Sequence, residues 1–241
     1  MISLSSKIGG GTKHIFNLGQ NLKNDFEVFY ALPESEKFSN YLTIDNHIKI
    51  SERKLTIKDI YNLHNFVKLK SIDILHAHGK GAGLLSRIVN IFLNRKLIYT
   101  FHGIHYDLNR FFIKKIYIIY ENLMGKIDTY KVLVSKSEMK FAKSLSIKLG
   151  NNSIIINNGV SNKRIRNQSE SFLGDLKSLN SKKFNVITVC RLVKQKNVIE
   201  ILRIANLIPD INFTILGDGE LWNDLNNIIL KEKTKNVFLK G

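Results

Sequence analysis

Cysteine occurs once in the 241 residues, as Cys190, so no intrachain disulfide can form. Acids are scarce as well, 20 against 37 Lys and Arg, which leaves a formal charge of +17 and points to anionic partners. Nucleic acid, phospholipid head groups and a phosphorylated small molecule all satisfy that charge. No helix-turn-helix, zinc-finger or aromatic RNA-binding signature accompanies it, and the cations are spread along the chain rather than gathered in a tail. Long apolar runs are missing too. Phe111 to Tyr120 is interrupted by Lys114 and Lys115 and falls short of a bilayer span. The opening MISLSSKIGGGTKH lacks the basic-then-apolar layout of a secretory signal. A cytoplasmic location is expected. With 44% hydrophobic residues, the chain can bury a substantial core.

What is present is alternation. Short β-rich runs alternate with amphipathic stretches, the pattern of a parallel α/β protein. Strands are expected at Ile2–Ser5, Glu27–Ala31, His47–Ile50, Asp73–Ala77, Leu97–Phe101, Tyr130–Val134 and Ser153–Asn157. Helices are expected at Thr12–Lys23, Ile57–Leu69, Ala82–Leu93, Asn109–Lys126 and Lys136–Leu149. Residues 161–183 are rich in Ser, Asn, Lys and Arg, with a helical patch at 172–179, and read as a connection between residues 1–160 and 184–241. A second alternation then runs through strand Asn185–Cys190, helix Val198–Leu207, strand Asn212–Leu216, helix Leu221–Lys231 and strand Val237–Leu239. That is one βαβαβ half of a doubly wound sheet, and a second domain cut short is expected.

Several motifs sit at expected carboxyl ends of strands, the edge where ligands bind parallel sheets. Arg191 and Lys196 in VITVCRLVKQKN place two cations at a strand-to-helix corner suited to a diphosphate. Gly9, Gly10 and Gly11 precede the first helix, where glycine allows positive φ and close approach of an anion. Their spacing is not GxGxxG, so the dinucleotide fingerprint is absent. His76 and His78 in DILHAHGKGAG, and His102 and His105 in YTFHGIHYD, invite a metal reading, because residues two apart on a strand share a face. Asp218 is the only downstream strand-end carboxylate in view, which weighs against a hydrolytic centre. His76 reads as a buried, hydrogen-bonded histidine and His102, beside Gly103, as the better contact for substrate. Asn158–Gly159 is a turn signal, and Gly217 and Gly219 free the backbone after a strand. Glu220 reads as an acid in the first turn of a helix. In RFFIKKIYIIYENLM, Arg110, Lys114, Glu121 and Asn122 form a narrow polar stripe. The broad apolar face opposite is expected to pack on the sheet rather than lie in a membrane interface.

In succession, IGGGTKHIFNLGQNL, DILHAHGKGAGLLSRI, LIYTFHGIH, TYKVLVSKSE, IIINNGV, VITVCRLVKQKN, FTILGDGEL and NVFLKG resemble the retaining glycosyltransferases of family 4, with the GT-B fold. The resemblance implies two Rossmann-like domains and transfer of a sugar from a UDP- or GDP-linked donor to a cell-envelope glycan or lipid-linked acceptor. It implies no metal and no cofactor, no nucleic-acid partner, and allows peripheral contact with an anionic membrane. By motif, Arg191 and Lys196 would hold the donor diphosphate and stabilise it as it leaves. Gly10, Gly11 and Gly217 would approach the donor, and His102 would contact the sugar or its phosphate. The chain departs from the family at Cys190 and Asn197, where glycines are usual, and at Ser161, where Asp is common. The family's paired-glutamate motif, which grips the donor sugar, occurs nowhere in the sequence and is expected beyond Gly241, so little transfer by this chain alone is expected. Two competing readings remain: a basic α/β module for nucleic acid or anionic membrane, and a metal-dependent hydrolase built on the histidine pairs.

Overall fold

The computed structural model describes residues 1–5, 9–34, 42–43, 45–104, 111–159 and 183–240. The connection expected at 161–183, with its helical patch, lies outside the described residues except for Lys183, as do His105, Arg110 and Ser161. Two compact units are formed, Met1–Val160 and Ser161–Gly241.

In the first unit, strands β1 (Tyr30–Leu32) and β2 (His47–Lys49) pair in parallel, and β3 (Ile74–His78), β4 (Lys96–Thr100), β5 (Tyr130–Leu133) and β6 (Ser153–Ile155) form a parallel set in that order. The N-terminal segment joins the two sets. Ile2 N–H donates to the His76 carbonyl at 2.9 Å and the Ile2 carbonyl accepts from His78 N–H at 2.9 Å. On its other side Ser3 N–H donates to Ala31 and Ala31 N–H to Met1. Strand order therefore reverses beside Ile2, because the chain leaves it for β1 on one side and reaches β3 on the other. Such a reversal opens a crevice at the carboxyl ends of the strands. Only Ile2 itself bridges, so the strand expected over Ile2–Ser5 is shorter than its alternation suggested.

Helices α1 (Gly10–Leu22), α2 (Ile57–Leu69), α3 (Lys80–Leu93), α4 (Phe111–Met124) and α5 (Lys136–Ser144) connect the strands. Their ends follow local chemistry. Thr56 caps α2 by accepting from Asp59 N–H, and Ser135 caps α5 by accepting from Glu138 N–H. Asn94 closes α3 in the left-handed conformation that Asn tolerates. The helix expected to reach Leu149 stops at Ser144. Ser146 takes φ +60°, and the turn brings Leu145, Ile147 and Leu149 into the core together, which one helical face would not allow.

Among the described residues, Arg87 is the largest fully buried side chain. From α3 it donates through Nε and Nη2 to Asp128 at 2.9 and 2.6 Å, and through Nη2 to Glu121 of α4 at 2.8 Å. Tyr99 lies 4.5 Å from its guanidinium carbon and adds a cation–π contact. This triad corrects the expected orientation of α4. Glu121 is drawn inward with Tyr117, whereas Phe112, Ile116 and Leu123 are 79%, 67% and 61% exposed. The broad apolar face of α4 thus points away from the core.

In the second unit β7 (Phe184–Val189), β8 (Ile211–Leu216) and β9 (Val237–Lys240) are parallel and carry α6 (Ile199–Leu207) and α7 (Trp222–Lys231). Leu192, Val198, Leu202, Ile215 and Leu225 fill its core. Glu220 stands ahead of α7 rather than in its first turn, where Asp224 is the acid, because α7 begins only at Trp222.

Removing the cation of the triad leaves two carboxylates buried without a partner. Arg87→Ala is expected to cost about 3–5 kcal/mol. Arg203→Ala, which breaks an exposed pair with Glu200, should cost less than about 1 kcal/mol. Urea denaturation of both variants checks this, and similar midpoints would contradict it.

Candidate functional site

The crevice beside Ile2 is lined by histidines from three elements. His78 is the last residue of β3, His102 follows β4 by two residues, and His14 lies one turn inside α1. His76, His78 and His102 stack in sequence, with ring centroids 4.0 and 5.2 Å apart, and His14 meets His102 edge-on at 4.9 Å. The stack follows from sheet register. His76 and His78 share one face of β3, and His78 lies opposite Thr100 of β4. His76 Nε2 hydrogen-bonds Thr100 Oγ1 at 2.9 Å, and His78 Nδ1 hydrogen-bonds His102 Nε2 at 2.9 Å.

His102 has φ +55°, an unfavourable conformation for a residue with a side chain, and Gly103 follows at φ +101°. Glu138 holds that turn in place. Its carboxylate accepts from Gly103 N–H at 2.5 Å and from Val134 N–H at 2.7 Å, so one buried acid ties the turns after β4 and β5 together. Burial keeps the imidazoles neutral. It pushes His102 down to about 4, with His14 adding to the effect, and His76 down to about 3, with the N-terminal ammonium, His14 and His102 adding. His78 is held well below the ordinary imidazole value and His14 is lowered as well, both by burial first.

One ring nitrogen from each of His14, His78 and His102 lies within 4.8 Å of the others. Two nitrogens bound to one tetrahedral zinc ion at ~2.0–2.1 Å stand roughly 3.3 Å apart. His78 Nδ1 and His102 Nε2 lie closer than that, at 2.9 Å, and bond to each other, so an ion shared by those two nitrogens would have to break their hydrogen bond. The expected metal pairs fare no better. His76 is engaged by Thr100, and His105 is outside the described residues.

Gly9 caps α1 in an extended conformation at φ −169°, and Gly10 and Gly11 begin the helix. None of the three has positive φ, which corrects the expected reason for glycine there. A Cβ at any of them would meet nothing within 4 Å among the described residues, so there is room beside these glycines. No acid stands in its first turn to compete with a bound anion. Gly10 and His14 are four residues apart, so the open helix end and the ring share a face. His14 is the residue that sequence reasoning missed. Its spacing from Gly10 was the available signal, but nothing local reveals that α1 faces β3 and β4.

In the second unit Arg191 and Lys196 are exposed beyond β7, and neither pairs with an acid among the described residues. A short 3-10 turn, Lys194–Lys196, intervenes between them and α6. Asn197 closes that turn at φ +49°, a left-handed conformation that Asn tolerates. Gly217, at φ +143°, packs so closely on the Cys190 carbonyl that a Cβ would collide, and Gly219 packs likewise on Leu192. These glycines bring the turns after β7 and β8 together. Leu192 N–H donates to Asp218 O across that contact at 2.9 Å.

Residues 8–164 match the model for glycosyltransferase family 4. The chain belongs to that family. Membership removes the support for the nucleic-acid module and the metal-dependent hydrolase. An uncharacterized glycosyltransferase of Methanocaldococcus jannaschii is 26% identical over 97% of this chain and 63% of its own length. The Escherichia coli UDP-Gal:alpha-D-GlcNAc-diphosphoundecaprenol alpha-1,3-galactosyltransferase is 30% identical over 70% of this chain and 46% of its own. The chain thus spans about two thirds or less of these relatives. Anabaena HepE, solved with UDP and glucose, superposes with a TM-score of 0.76 at 14% identity, covering 99% of this chain and 67% of that one. The fold is that of the GT-B glycosyltransferases.

Because the histidines are neutral when folded and gain protons freely when unfolded, the unfolded state binds more protons at acid pH. Stability contributed by His76 and His102 is full above their unfolded value of 6.5 and is lost as pH falls from there toward about 4 for His102 and about 3 for His76. A decline on the order of 3 kcal/mol from each of the two histidines between pH 7 and pH 4 is expected from denaturation midpoints. His76→Gln combined with His102→Gln should flatten that slope.

Proposed function

We propose that the chain serves in sugar transfer from a UDP- or GDP-linked donor, with retention, to a cell-envelope glycan or lipid-linked acceptor, without a metal or other cofactor. The observation that carries this is that two exposed cations beyond β7, unpaired among the described residues, occur in a family whose relatives are named for nucleotide-sugar chemistry. Arg191 and Lys196 hold the donor diphosphate in residues 184–241. Fixed positive groups of this kind stabilise the charge that develops on a departing diphosphate. Residues 1–160 serve the acceptor, with His102 meeting the transferred sugar and Gly10 and Gly11 leaving room for it, while in residues 184–241 Gly217 keeps the turn beside Arg191 close-packed. The E. coli relative's name specifies a diphosphoundecaprenol-linked substrate, and another E. coli relative is named for O-antigen biosynthesis, which supports a lipid-linked acceptor.

A lipid-linked acceptor places the work at a membrane surface, and α4 suits it. No described helix is long and apolar enough to cross a bilayer. Phe112, Ile116, Ile119 and Leu123 instead form an exposed apolar stripe on α4, with Lys115 and Lys126 exposed beside it. An apolar stripe flanked by cations, on a chain of charge +17, is complementary to an anionic interface.

Two measurements test these assignments. Titration calorimetry with UDP and GDP should show binding that falls at least tenfold in Arg191→Ala/Lys196→Ala, since each charged hydrogen bond contributes about 1.5–3 kcal/mol. Parental affinity in the double variant would remove the diphosphate role. Co-sedimentation with phosphatidylglycerol vesicles should exceed that with phosphatidylcholine and fall more than tenfold in Ile116→Ser/Leu123→Ser, because each buried aliphatic side chain contributes roughly 1.5–3 kcal/mol. Equal sedimentation by the variant, or self-association of the parent through this stripe, would exclude membrane docking by α4.

A further inference from the structure

His78 is 5% exposed and cannot itself reach a ligand, yet both of its ring nitrogens are engaged. Nε2 lies 3.4 Å from Met1 Sδ, and Nδ1 lies 2.9 Å from His102 Nε2. A thioether sulfur has no hydrogen to give and can only accept. The proton of the neutral His78 ring therefore sits on Nε2, and Nδ1 is a lone pair. The proton between the two imidazoles must then belong to His102 Nε2. A neutral His102 carries no second ring proton, so its Nδ1 is also a lone pair.

We propose that His78 is a positioning residue that sets the tautomer of His102, so that His102 meets the transferred sugar as an acceptor for a hydroxyl and not as a donor to phosphate. The sugar contact rests on the function proposed above; the tautomer does not. His78 is held against rotation on two sides. His76 stacks on it at 4.0 Å and is itself bonded to Thr100, while Met1 covers Nε2. The backbone of His102 is held by Glu138 through Gly103. Position and proton placement are thus determined by separate contacts. Among the described residues, the ionisable groups around the His102 ring are His76 and His78 from β3, His14 from α1, Glu138 from α5 and the N-terminal ammonium. The ring stays neutral among them because burial disfavours its charge and His14 would repel it.

The test is long-range proton–nitrogen correlation on the imidazoles of the 15N-labelled 241-residue protein at pH 7. The expected spectrum shows both His78 and His102 protonated at Nε2 and unprotonated at Nδ1. His78→Leu removes the acceptor and should shift His102 to a mixture of tautomers. His78→Asn, whose Oδ1 can accept in place of Nδ1, should restore the single form. A purely structural role would leave the His102 pattern unchanged in both variants. A parent with His102 protonated at Nδ1 overturns the proposal without any variant, as does an unchanged His102 pattern in a His78→Leu protein whose amide spectrum shows it folded. Saturating UDP-glucose should then shift the His102 Nδ1 resonance. Binding without that shift overturns the sugar contact, whereas no binding with the expected tautomers counts against the proposed function and leaves the relay standing.

Discussion

Four backbone hydrogen bonds around Ile2 join the two strand sets of the first unit. On one side they tie the N-terminal segment to β1 and on the other to β3, and so they make one sheet from two sets of strands. The reversal of strand order beside Ile2 opens the crevice, and the same bonds bring the side chain of Met1 onto His78. Sheet continuity, the place of the site and the proton arrangement within it therefore share one cause. A parallel strand inserted between its neighbours satisfies donors and acceptors on both edges, which is why so short a segment can hold so much.

Buried polar groups set the rest of the geometry. Glu138 caps its own helix and accepts from two loop amides, so the strained turn at His102 is held by a charge rather than by packing alone. Arg87 acts in the same way on the opposite side of the unit. By drawing Asp128 and Glu121 inward it sets the rotation of α4, and that rotation turns an apolar stripe outward. One buried guanidinium thus determines which surface the protein presents. The second unit relies on close backbone contact instead, with Gly217 and Gly219 letting the turns after β7 and β8 meet beside Arg191.

Period-two and helical patterning located most of the described elements, and α2 runs over the residues that its pattern predicts. The failures have physical reasons. The helix after β5 ends early because Ser146 adopts positive φ so that three apolar residues can turn inward. Gly9, Gly10 and Gly11 at the start of α1 are not there for their backbone angles, since none takes positive φ; room beside them among the described residues is what distinguishes them. The orientation of α4 was misjudged because Glu121 counts as polar in a periodicity, and only its pairing with Arg87 makes it an interior residue.

By itself the sequence determined the order of strands and helices, the parallel α/β class, the excess of positive charge and the family. Each of these depends on local pattern or on motifs in succession, which survive without coordinates. The tertiary structure alone decided that His14 joins His78 and His102, that α4 faces outward, and which ring nitrogen of His102 is left unprotonated. Those outcomes depend on partners 24 to 77 residues apart, such as His78 with His102 and with Met1, and no local spacing records which distant group a buried polar atom will meet.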